Sequence, residues 1–336
     1  MSGIHPGLRK LNEDLIMKVT IVIPNYNGMK YLKDCLASVQ AQEYPAHVLI
    51  VDNGSQDGSA AWIKENYPET ELICLKENTG FCKAVNIGIR EAKTPYVILL
   101  NNDTRVKAGF TEALVDAIEA SERIFSVSAK MLCMQDEAVL DNAGDLYCAL
   151  GWAYGRGKGK PAARYKKPAR VFSACGGAAI YRKAVFEKIG YFDELHFAYL
   201  EDVDMGWRAS VHGFFNCFEP GACVLHAGSA VSGSKHNKFK ANLSSANSVY
   251  IIGKNMPVLQ ILLNLPFLLL GFLIKILFFT VKGMGITYVK GCARGVKRCF
   301  SEEGRKHRVR FRLCNLKNYC RIQLALWQNL IRRIYN

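Results

Sequence analysis

Four short polar clusters in the first third of this sequence combine residue types that suit a polar, phosphorylated ligand. Each cluster directly follows an aliphatic run, and the four are Asn25-Tyr26-Asn27-Gly28, Asp52-Asn53-Gly54-Ser55, Glu77-Asn78-Thr79-Gly80 and Asn101-Asn102-Asp103. The last run, Val97–Leu100, is typical of a strand buried on both faces, because it is continuously aliphatic and ends in polar residues. Three polar side chains at the end of such a strand indicate a binding site.

The elements that must position these clusters can be predicted from hydrophobic periodicity. We predict strands and intervening helices over the N-terminal region, with strands at 19–24, 47–51, 72–75 and 97–100 and helices at 30–42, 59–66 and 81–92. Alternation of strand and helix predicts a parallel sheet, in which ligands bind outside the carboxyl ends of the strands. All four polar clusters would then lie at one edge.

Two common nucleotide-binding motifs are absent from the sequence. The turn after the first strand has PNYNG where a dinucleotide-binding turn has GxGxxG, and the phosphate-binding GxxxxGK[ST] loop does not occur. The segment GRGKGK, residues 155–160, is framed by neither a strand nor a helix start. We interpret it as a solvated loop, with contact to an anionic ligand as the alternative.

Length and cysteine usage predict a folded cytoplasmic protein. The chain has 336 residues, half of them apolar, which suffices for a large core without disulfides. The twelve cysteines form no CxxC pair, and the N-terminus lacks the pattern of a secretory signal. Both observations favour a reducing compartment.

The positive charge is concentrated at the C-terminus. Residues 282–336 contain fourteen Lys and Arg and two acids, so they hold +12 of the net charge of +15. The preceding segment, Leu265–Val281, has a single charge, Lys275. A long apolar run has no use in nucleic-acid binding, so we predict that the basic tail meets an anionic membrane surface and no nucleic acid. A solvated basic surface is the alternative.

The apolar run allows three interpretations. Extended back to Val258, it is long enough to span a bilayer if Asn264, Pro266 and Lys275 are tolerated. A single crossing would export the basic tail, against the positive-inside tendency. We therefore favour peripheral or monotopic attachment to the cytoplasmic face of the cell membrane. A spanning helix, and a helix buried in the core or in a homodimer, stay open.

Seven segments, taken together, resemble family 2 glycosyltransferases, and most of all their bacterial rhamnosyltransferase-like branch. In chain order they are TIVIPNYNG, VLIVDNGSQDGS, NTGFCKAVNIGI, VILLNNDT, ACGGAAIYRKAVFEKIGYFDE, FAYLEDVDMGWRA and VLHAGS. The resemblance covers about residues 18–250 and implies an α/β GT-A fold with a Rossmann-like, mostly parallel sheet. It also implies transfer of a sugar from a nucleotide donor with inversion.

The resemblance and the charge pattern together predict three regions. Residues 1–17 would be an N-terminal extension, residues 18–255 a GT-A domain, and residues 256–336 an apolar and basic helical region that associates with the membrane. Within the GT-A domain, the nucleotide-binding half would span about 18–105 and the acceptor half about 106–255.

The resemblance identifies Asn101-Asn102-Asp103 as a DxD-type motif, which binds a divalent cation together with the donor diphosphate. Mg²⁺ or Mn²⁺ would neutralise the charge that accumulates on the leaving group. Because position 101 is Asn, Asp103 is the carboxylate we expect to bind the cation, with Asn102 beside the donor. The resemblance adds His226 as a second ligand, which would favour Mn²⁺; a hydrogen-bonded core histidine is the alternative.

The resemblance also implies a nucleotide pocket. Asp52 would accept a hydrogen bond from the N3 of uracil or thymine, and a turn-capping aspartate is the alternative. By analogy the pocket would be completed by Pro24, Asn25, Asn27, Asn78, Gly80 and Asn86.

Three carboxylates lie within the segment LEDVDMGWR. Such a run is typical of a helix N-terminus, and on a helix Asp204 and Arg208 are spaced for an ion pair. The resemblance assigns Asp202 the role of general base for the acceptor hydroxyl. Glu201 would orient the acceptor, and Trp207 is either an acceptor platform or a core residue.

We therefore predict an inverting, metal-dependent glycosyltransferase of bacterial cell-surface polysaccharide synthesis. Its donor would be a thymidine or uridine diphosphate sugar, with dTDP-rhamnose as one candidate, and its acceptor a glycan or a lipid-linked glycan. A catalytically idle donor-binding or scaffold subunit of a polysaccharide assembly complex is the alternative. The presence of Asp52, Asp103, Asp202 and His226 favours the enzyme.

Overall fold

The N-terminal aliphatic runs form four parallel strands, as predicted. In a computed structural model, which describes residues 17–228 and 237–335, these strands are β1 (Val19–Asn25), β2 (His47–Asp52), β3 (Glu71–Cys74) and β4 (Tyr96–Leu100). They lie in the order β3, β2, β1, β4, and every residue of β4 is buried. The predicted N-terminal extension falls outside the described residues except for Met17.

Helices cover both faces of these strands. The three connecting helices are α1 (Met29–Gln40), α2 (Ser59–Asn66) and α3 (Phe81–Glu91). Because side chains alternate along a strand, Ile21 and Ile23 pack in one core with α1, whereas Val22 packs in a second core with α3. With both faces covered, the carboxyl edge of the sheet is left for a ligand.

The second half of the chain extends the sheet with strands of mixed direction. The additional strands are β5 (Thr104–Val106), β6 (Ile124–Cys133), β7 (Asp136–Asn142), β8 (Asp145–Cys148), β9 (Trp152–Gly155), β10 (Ala169–Val171), β11 (Ala178–Arg182) and β12 (Phe215–His226). The sheet continues from β4 through β11, β6, β12 and β10, with β5 on β12 and β7 on β6, while β8 and β9 form a separate hairpin. β11 is antiparallel to β4, and β12 is parallel to β6.

In the described parts of this half and of the C-terminal region there are eight further helices. They are α4 (Phe110–Glu119), α5 (Lys183–Ile189), α6 (Glu201–Val211), α7 (Lys238–Asn255), α8 (Val258–Val281), α9 (Gly285–Phe300), α10 (Glu302–Lys306) and α11 (Leu316–Tyr335). Short 3₁₀ turns occur at Ala162–Arg164, Glu194–His196 and Leu313–Asn315. The predicted boundary after residue 255 falls between α7 and α8.

The apolar run forms α8, which exposes most of its surface. Among the described residues, this 24-residue helix is the one long and apolar enough to cross a membrane, and 17% of its most apolar window is buried. Leu259 is 78% exposed and Leu269 is 63% exposed. These values exclude a helix buried in the core of a single chain.

One stripe of α8 holds the helix against the rest of the protein. Asn264 and the side-chain amide of Gln323 on α11 donate to each other, both at 2.8 Å. The indole of Trp152 on β9 donates to the Gly271 carbonyl at 3.1 Å, and Lys275 Nζ lies 5.6 Å from the centroid of the same ring. The polar residues that interrupt the apolar run at 264 and 275 therefore contact protein.

Candidate active site

A cleft of about 1030 Å³ lies at the carboxyl edge of the sheet, where the polar clusters meet. Nine of the predicted site residues line it: Pro24, Asn25, Asn78, Gly80, Asn102, Asp103, Glu201, Asp202 and His226. The carboxyl ends of parallel strands are the expected position for a ligand site. The fold therefore brings both halves of the sequence to a single site.

A side-chain network fixes the strand ends relative to one another. Asn25 Nδ2 donates to Asp52 Oδ2 at 2.7 Å and to Ser59 Oγ at 2.9 Å, and Asn25 Oδ1 accepts from Asn102 Nδ2 at 2.7 Å. These bonds connect β1, β2 and the loop after β4. Buried, mutually satisfied amides of this kind hold a binding surface rigid.

Asp52 has protein partners at both carboxylate oxygens, and its contact with the nucleotide base stays a prediction. Its carboxylate is 2% exposed and accepts hydrogen bonds from the Asn25 amide and, at 2.9 Å, from the backbone N–H of Ser55. Asp52 thus caps the turn, which was the alternative interpretation. The next residue, Asn53, lines the cleft instead, and its Nδ2 donates to Asn78 Oδ1 at 3.1 Å.

Asn27 and Asn86 also have hydrogen-bond partners within the protein. Asn27 adopts a φ of 48° and accepts from the Gln56 N–H at 2.8 Å, which stabilises the loop between β1 and α1. Asn86 donates to the Phe192 carbonyl at 2.8 Å and accepts from the Phe192 N–H at 3.0 Å. Asn86 is therefore held at both ends of its amide, whereas Asn27 is exposed and uses its Oδ1.

Trp207 is a core residue, so its prediction as an acceptor platform is wrong. Its ring is 0% exposed and packs edge-on against Tyr147 and Phe172, with centroids 5.3 Å from each. Val203 and Val211, four residues away on either side, are buried in the same cluster. This stripe of α6 faces the core, whereas Asp202 lies on a different side of the helix.

Asp103 and His226 form a pair that could hold a divalent cation. The register of β12 with β5 sets His226 opposite Thr104, and this places His226 Nε2 3.4 Å from Asp103 Oδ1. Two neighbouring ligands of one cation, each at about 2.0–2.2 Å from it, have a comparable separation. One carboxylate oxygen and one imidazole nitrogen therefore fit a Mn²⁺-type site.

Asp141 on β7 orients the imidazole. Its Oδ2 lies 2.8 Å from His226 Nδ1, and its Oδ1 accepts from Lys158 Nζ at 2.5 Å. Burial alone would lower the pKa of His226, but the carboxylates of Asp103 and Asp141 raise it to about 9. Against the opposing effect of burial, the bonds from His226 and Lys158 lower the pKa of Asp141 to about 2. A carboxylate on the second ring nitrogen directs the first toward a cation.

Glu201 and Asp202 begin α6, as the acidic run predicted, and both line the cleft. Asp202 Oδ1 accepts from the Val203 N–H at 2.7 Å. Burial and the charge of Glu201 raise the pKa of Asp202 to about 6, and burial raises the pKa of Glu201 to about 7. A carboxylate with a pKa near neutrality is suited to accept a proton from a substrate.

Asp204 belongs to a buried ion-pair network. Its carboxylate accepts from Arg208 Nε at 2.9 Å, from Lys254 Nζ at 2.9 Å and from Asn255 Nδ2 at 2.8 Å. Burial alone would raise the pKa of Asp204, but Arg208 and Lys254 hold it well below its ordinary value. Lys254 also donates to Asp193 at 2.7 Å. The predicted pair of Asp204 with Arg208 is confirmed, and the network ties α6 to α7.

Three charged residues near the site were not among those predicted from the sequence: Asp141, Asp145 and Lys158. Asp145 and Lys158 line the cleft, and Lys158 belongs to the GRGKGK segment interpreted as a solvated loop. Among the described residues, Asp145, Cys175 and Asp202 also bring one ligand atom each within 4.8 Å of the others. The sequence from β7 to β9 contains no recognisable motif. The one feature that could have indicated Asp145 is its position as an acidic residue at the start of a short hairpin.

Comparison with known proteins gives consistent results. The family model described as glycosyl transferase family 2 matches residues 20–190. The N-acetylglucosaminyl-diphospho-decaprenol L-rhamnosyltransferase of Mycobacterium tuberculosis is 30% identical over 230 residues, which cover 61% of this chain and 75% of that protein. The poly-β-1,6-N-acetyl-D-glucosamine synthase of Staphylococcus aureus is 24% identical over 215 residues, which cover 62% of this chain and 50% of that protein.

Two solved structures share the fold. The crystal structure of GalNAc-T7 with UDP, GalNAc and Mn²⁺ has a TM-score of 0.55 and 16% identity, and the match covers 71% of this chain and 48% of that one. A mannosyltransferase from Pyrobaculum calidifontis, in complex with GDP-Man and Mn²⁺, has a TM-score of 0.52 and 15% identity, with 92% and 84% covered. At these identities the likeness concerns the fold alone.

Proposed function

Since this chain belongs to glycosyl transferase family 2, we propose that it transfers a sugar from a uridine or thymidine diphosphate donor to a glycan or lipid-linked acceptor, with inversion. The family and the GT-A fold, both predicted from the seven motifs, are confirmed, and the chain is a glycosyltransferase. The observation that carries the proposal is the convergence of Asp103, Asp202 and His226 on one cleft.

In the proposed reaction, Asp202 accepts the proton of the acceptor hydroxyl. The acceptor oxygen attacks the anomeric carbon of the donor, and the nucleoside diphosphate leaves from the opposite face of the sugar. General-base catalysis of this kind typically contributes about 10²–10⁴-fold to the rate. Glu201, which lines the cleft beside Asp202, would orient the acceptor.

Asp103 and His226 would hold a divalent cation, with Mn²⁺ favoured over Mg²⁺ because imidazole is one of the ligands. When bound, the cation neutralises charge on the departing diphosphate. The Mn²⁺ in the complexes of GalNAc-T7 and the Pyrobaculum mannosyltransferase supports this assignment. The role of this chain's residues is to fix the two ligand atoms 3.4 Å apart through β12 and Asp141.

The similarity to the mycobacterial rhamnosyltransferase supports a rhamnose donor and a lipid-linked acceptor in cell-wall polysaccharide synthesis. A lipid-linked acceptor resides in a membrane, and α8 exposes an apolar surface that suits the membrane interface. The +12 tail would add attraction to anionic lipid. We place the enzyme at the membrane surface, with α8 lying in the interface while the stripe that holds Asn264, Gly271 and Lys275 contacts β9 and α11.

The test is release of nucleoside diphosphate from a panel of uridine and thymidine diphosphate sugars by the purified chain with Mn²⁺ and a lipid-linked glycan acceptor. We expect Asp202→Asn to bind donor normally and to turn over at least about 10²-fold more slowly. Asp136→Asn, an exposed change on β7, serves as the matched control. Absence of turnover with every donor, or near-normal turnover by Asp202→Asn, would contradict the proposal.

A further inference from the structure

A second carboxyl group lies beside the general base. Asp145, at the start of β8, and Asp202, near the start of α6, bring carboxyl oxygens within 4.8 Å of each other. Both residues line the cleft. The reaction described above uses Asp202 and leaves Asp145 without a role.

Asp145 is held firmly in this position. Its backbone N–H donates to the Ser173 carbonyl at 2.9 Å, and its carbonyl accepts from the Phe172 N–H at 2.9 Å. Its Oδ1 accepts from Asn142 Nδ2 at 2.8 Å, and the residue is 8% exposed. One carboxyl oxygen is therefore satisfied by an amide, and the other is available to the Asp202 carboxyl group.

The two carboxyl groups cannot both be ionised at low cost. Like charges this close, in a poorly solvated site, repel strongly enough that one group keeps a proton at neutral pH. Among the described residues, the charged and titratable groups around the pair include Glu201, Cys175, Tyr181 and Lys158. They do not change this, because burial raises the pKa of Cys175 and of Tyr181 well above the ordinary values, which keeps both groups neutral at pH 7. Lys158 is itself bound to Asp141.

The proton belongs on Asp145. Burial and the charge of Asp202 raise the pKa of Asp145 well above its ordinary value. The pKa of Asp202, at about 6, lies lower because the hydrogen bond from Asp145 and the Val203 N–H favour its ionised form against burial and Glu201. At neutral pH the pair is thus one acid and one carboxylate.

We infer that Asp145 is a positioning residue for the general base: as a neutral carboxylic acid, it donates a hydrogen bond that aims the ionised Asp202 carboxylate into the cleft. This inference rests on the proposed role of Asp202. When the acceptor oxygen attacks, its proton moves to Asp202, and the proton of Asp145 stays in place. Asp145 acts only through its neighbour.

Two variants separate this role from a purely structural one. Asp145→Ala removes the hydrogen-bond donor, so the pKa of Asp202 should rise and the acid limb of the kcat profile should move to higher pH. A shift of one pH unit would cost about tenfold in rate on that limb. Asp145→Asn keeps an N–H donor, so its acid limb should stay close to that of the wild type. KM for the donor should be unchanged in both.

A second measurement needs no turnover. The infrared spectrum of the protein without substrate at pH 7, minus that of Asp145→Asn, should show the band of one protonated carboxyl group, because the contribution of Glu201, whose pKa is about 7, is common to both proteins. If Asp202→Asn turned over normally, the base assignment would fail, but this signal would persist, so the two failures are distinguishable. The isosteric Asn variant also keeps the test usable if Asp145→Ala does not fold.

Three outcomes would overturn the inference. An acid limb that moves to lower pH in Asp145→Asn would mean that Asp145 is ionised and repels Asp202. An unchanged profile in Asp145→Ala would mean that Asp145 does not act on the base. Loss of the infrared signal on addition of Mn²⁺ would show that the pair binds a cation instead of sharing a proton.

Discussion

At the scale of single residues, Asp103 and His226 come from distant segments yet present one oxygen and one nitrogen to the same point. Asp103→Ala and His226→Ala should each weaken Mn²⁺-dependent binding of UDP, measured by calorimetry. The double variant should lose little more, because effects within one site are not additive. Additive losses would show that His226 acts outside the cation site.

Asp141 should affect the affinity for the cation although it is not one of the two proposed ligands. In the wild type, His226 Nδ1 lies 2.8 Å from the Asp141 carboxylate. Asp141→Asn keeps the size of the side chain but replaces this carboxylate by a weaker hydrogen-bond acceptor. We expect a loss of about 10–100-fold in Mn²⁺ affinity. Titration of Mn²⁺ by electron paramagnetic resonance measures this directly. The exposed Asp136→Asn variant should bind as the wild type does, and equal affinity for both variants would refute the orienting role.

The residue scale also shows where sequence reasoning stops. The resemblance indicated loops that line the cleft, but a loop position does not state which side chain faces the cleft. The Asp52 carboxylate accepts a hydrogen bond within its own turn, and the neighbouring Asn53 lines the cleft. Trp207 follows Asp202 by five positions, and this rotation about the helix axis carries it into the core. Such directions depend on tertiary packing.

At the scale of elements, Lys254 connects the catalytic helix α6 to α7. Lys254→Met would leave the buried carboxylates of Asp193 and Asp204 without the Lys254 ammonium group. Removal of one partner from a buried ion pair lowers the free energy of unfolding by about 3–5 kcal/mol. We expect the free energy of unfolding, from urea denaturation, to fall by that order. Lys64→Met, at an exposed position of α2, is the control and should change little. Equal stability of the two variants would show that the network contributes no net stability.

The elements themselves were mostly predictable where apolar periodicity was strong. The helix predicted at 59–66 is observed at Ser59–Asn66, and the strand predicted at 97–100 at Tyr96–Leu100. The antiparallel β11 and the hairpin of β8 and β9 had no such pattern. That hairpin brings Asp145 to the cleft, so the sequence predicted the lining residues of the N-terminal loops, of α6 and of the end of β12, but not those of the hairpin.

At the scale of the whole molecule, the exposed surface of α8 should decide membrane attachment. The protein should sediment with anionic vesicles, and high salt should release only a part, because salt screens the tail but not apolar contacts. Leu269→Asp with Leu273→Asp should abolish the salt-resistant fraction, while the basic tail should still retain part of the protein on the vesicles at low salt. Both side chains are more than half exposed, so folding should be preserved.

Point changes suit this test better than truncation after Asn255. A truncated chain would lose Ile322 and Leu326, which pack with Trp207 in the core. Ala61→Asp, on the exposed side of α2, is the matched control and should leave sedimentation unchanged. Complete release of the wild type by salt would point to a second copy covering α8, and resistance to alkaline carbonate would point to a spanning helix.

The contacts along the polar stripe of α8 have a further consequence. Asn264, Gly271 and Lys275 are spread over three turns, so the helix cannot roll about its axis relative to the domain. A protein attached to the membrane through such a helix keeps its cleft at one distance from the membrane surface and at one tilt angle. Enzyme and lipid-linked acceptor would then diffuse in the same plane, and their encounter becomes a two-dimensional search with part of the orientational entropy already lost.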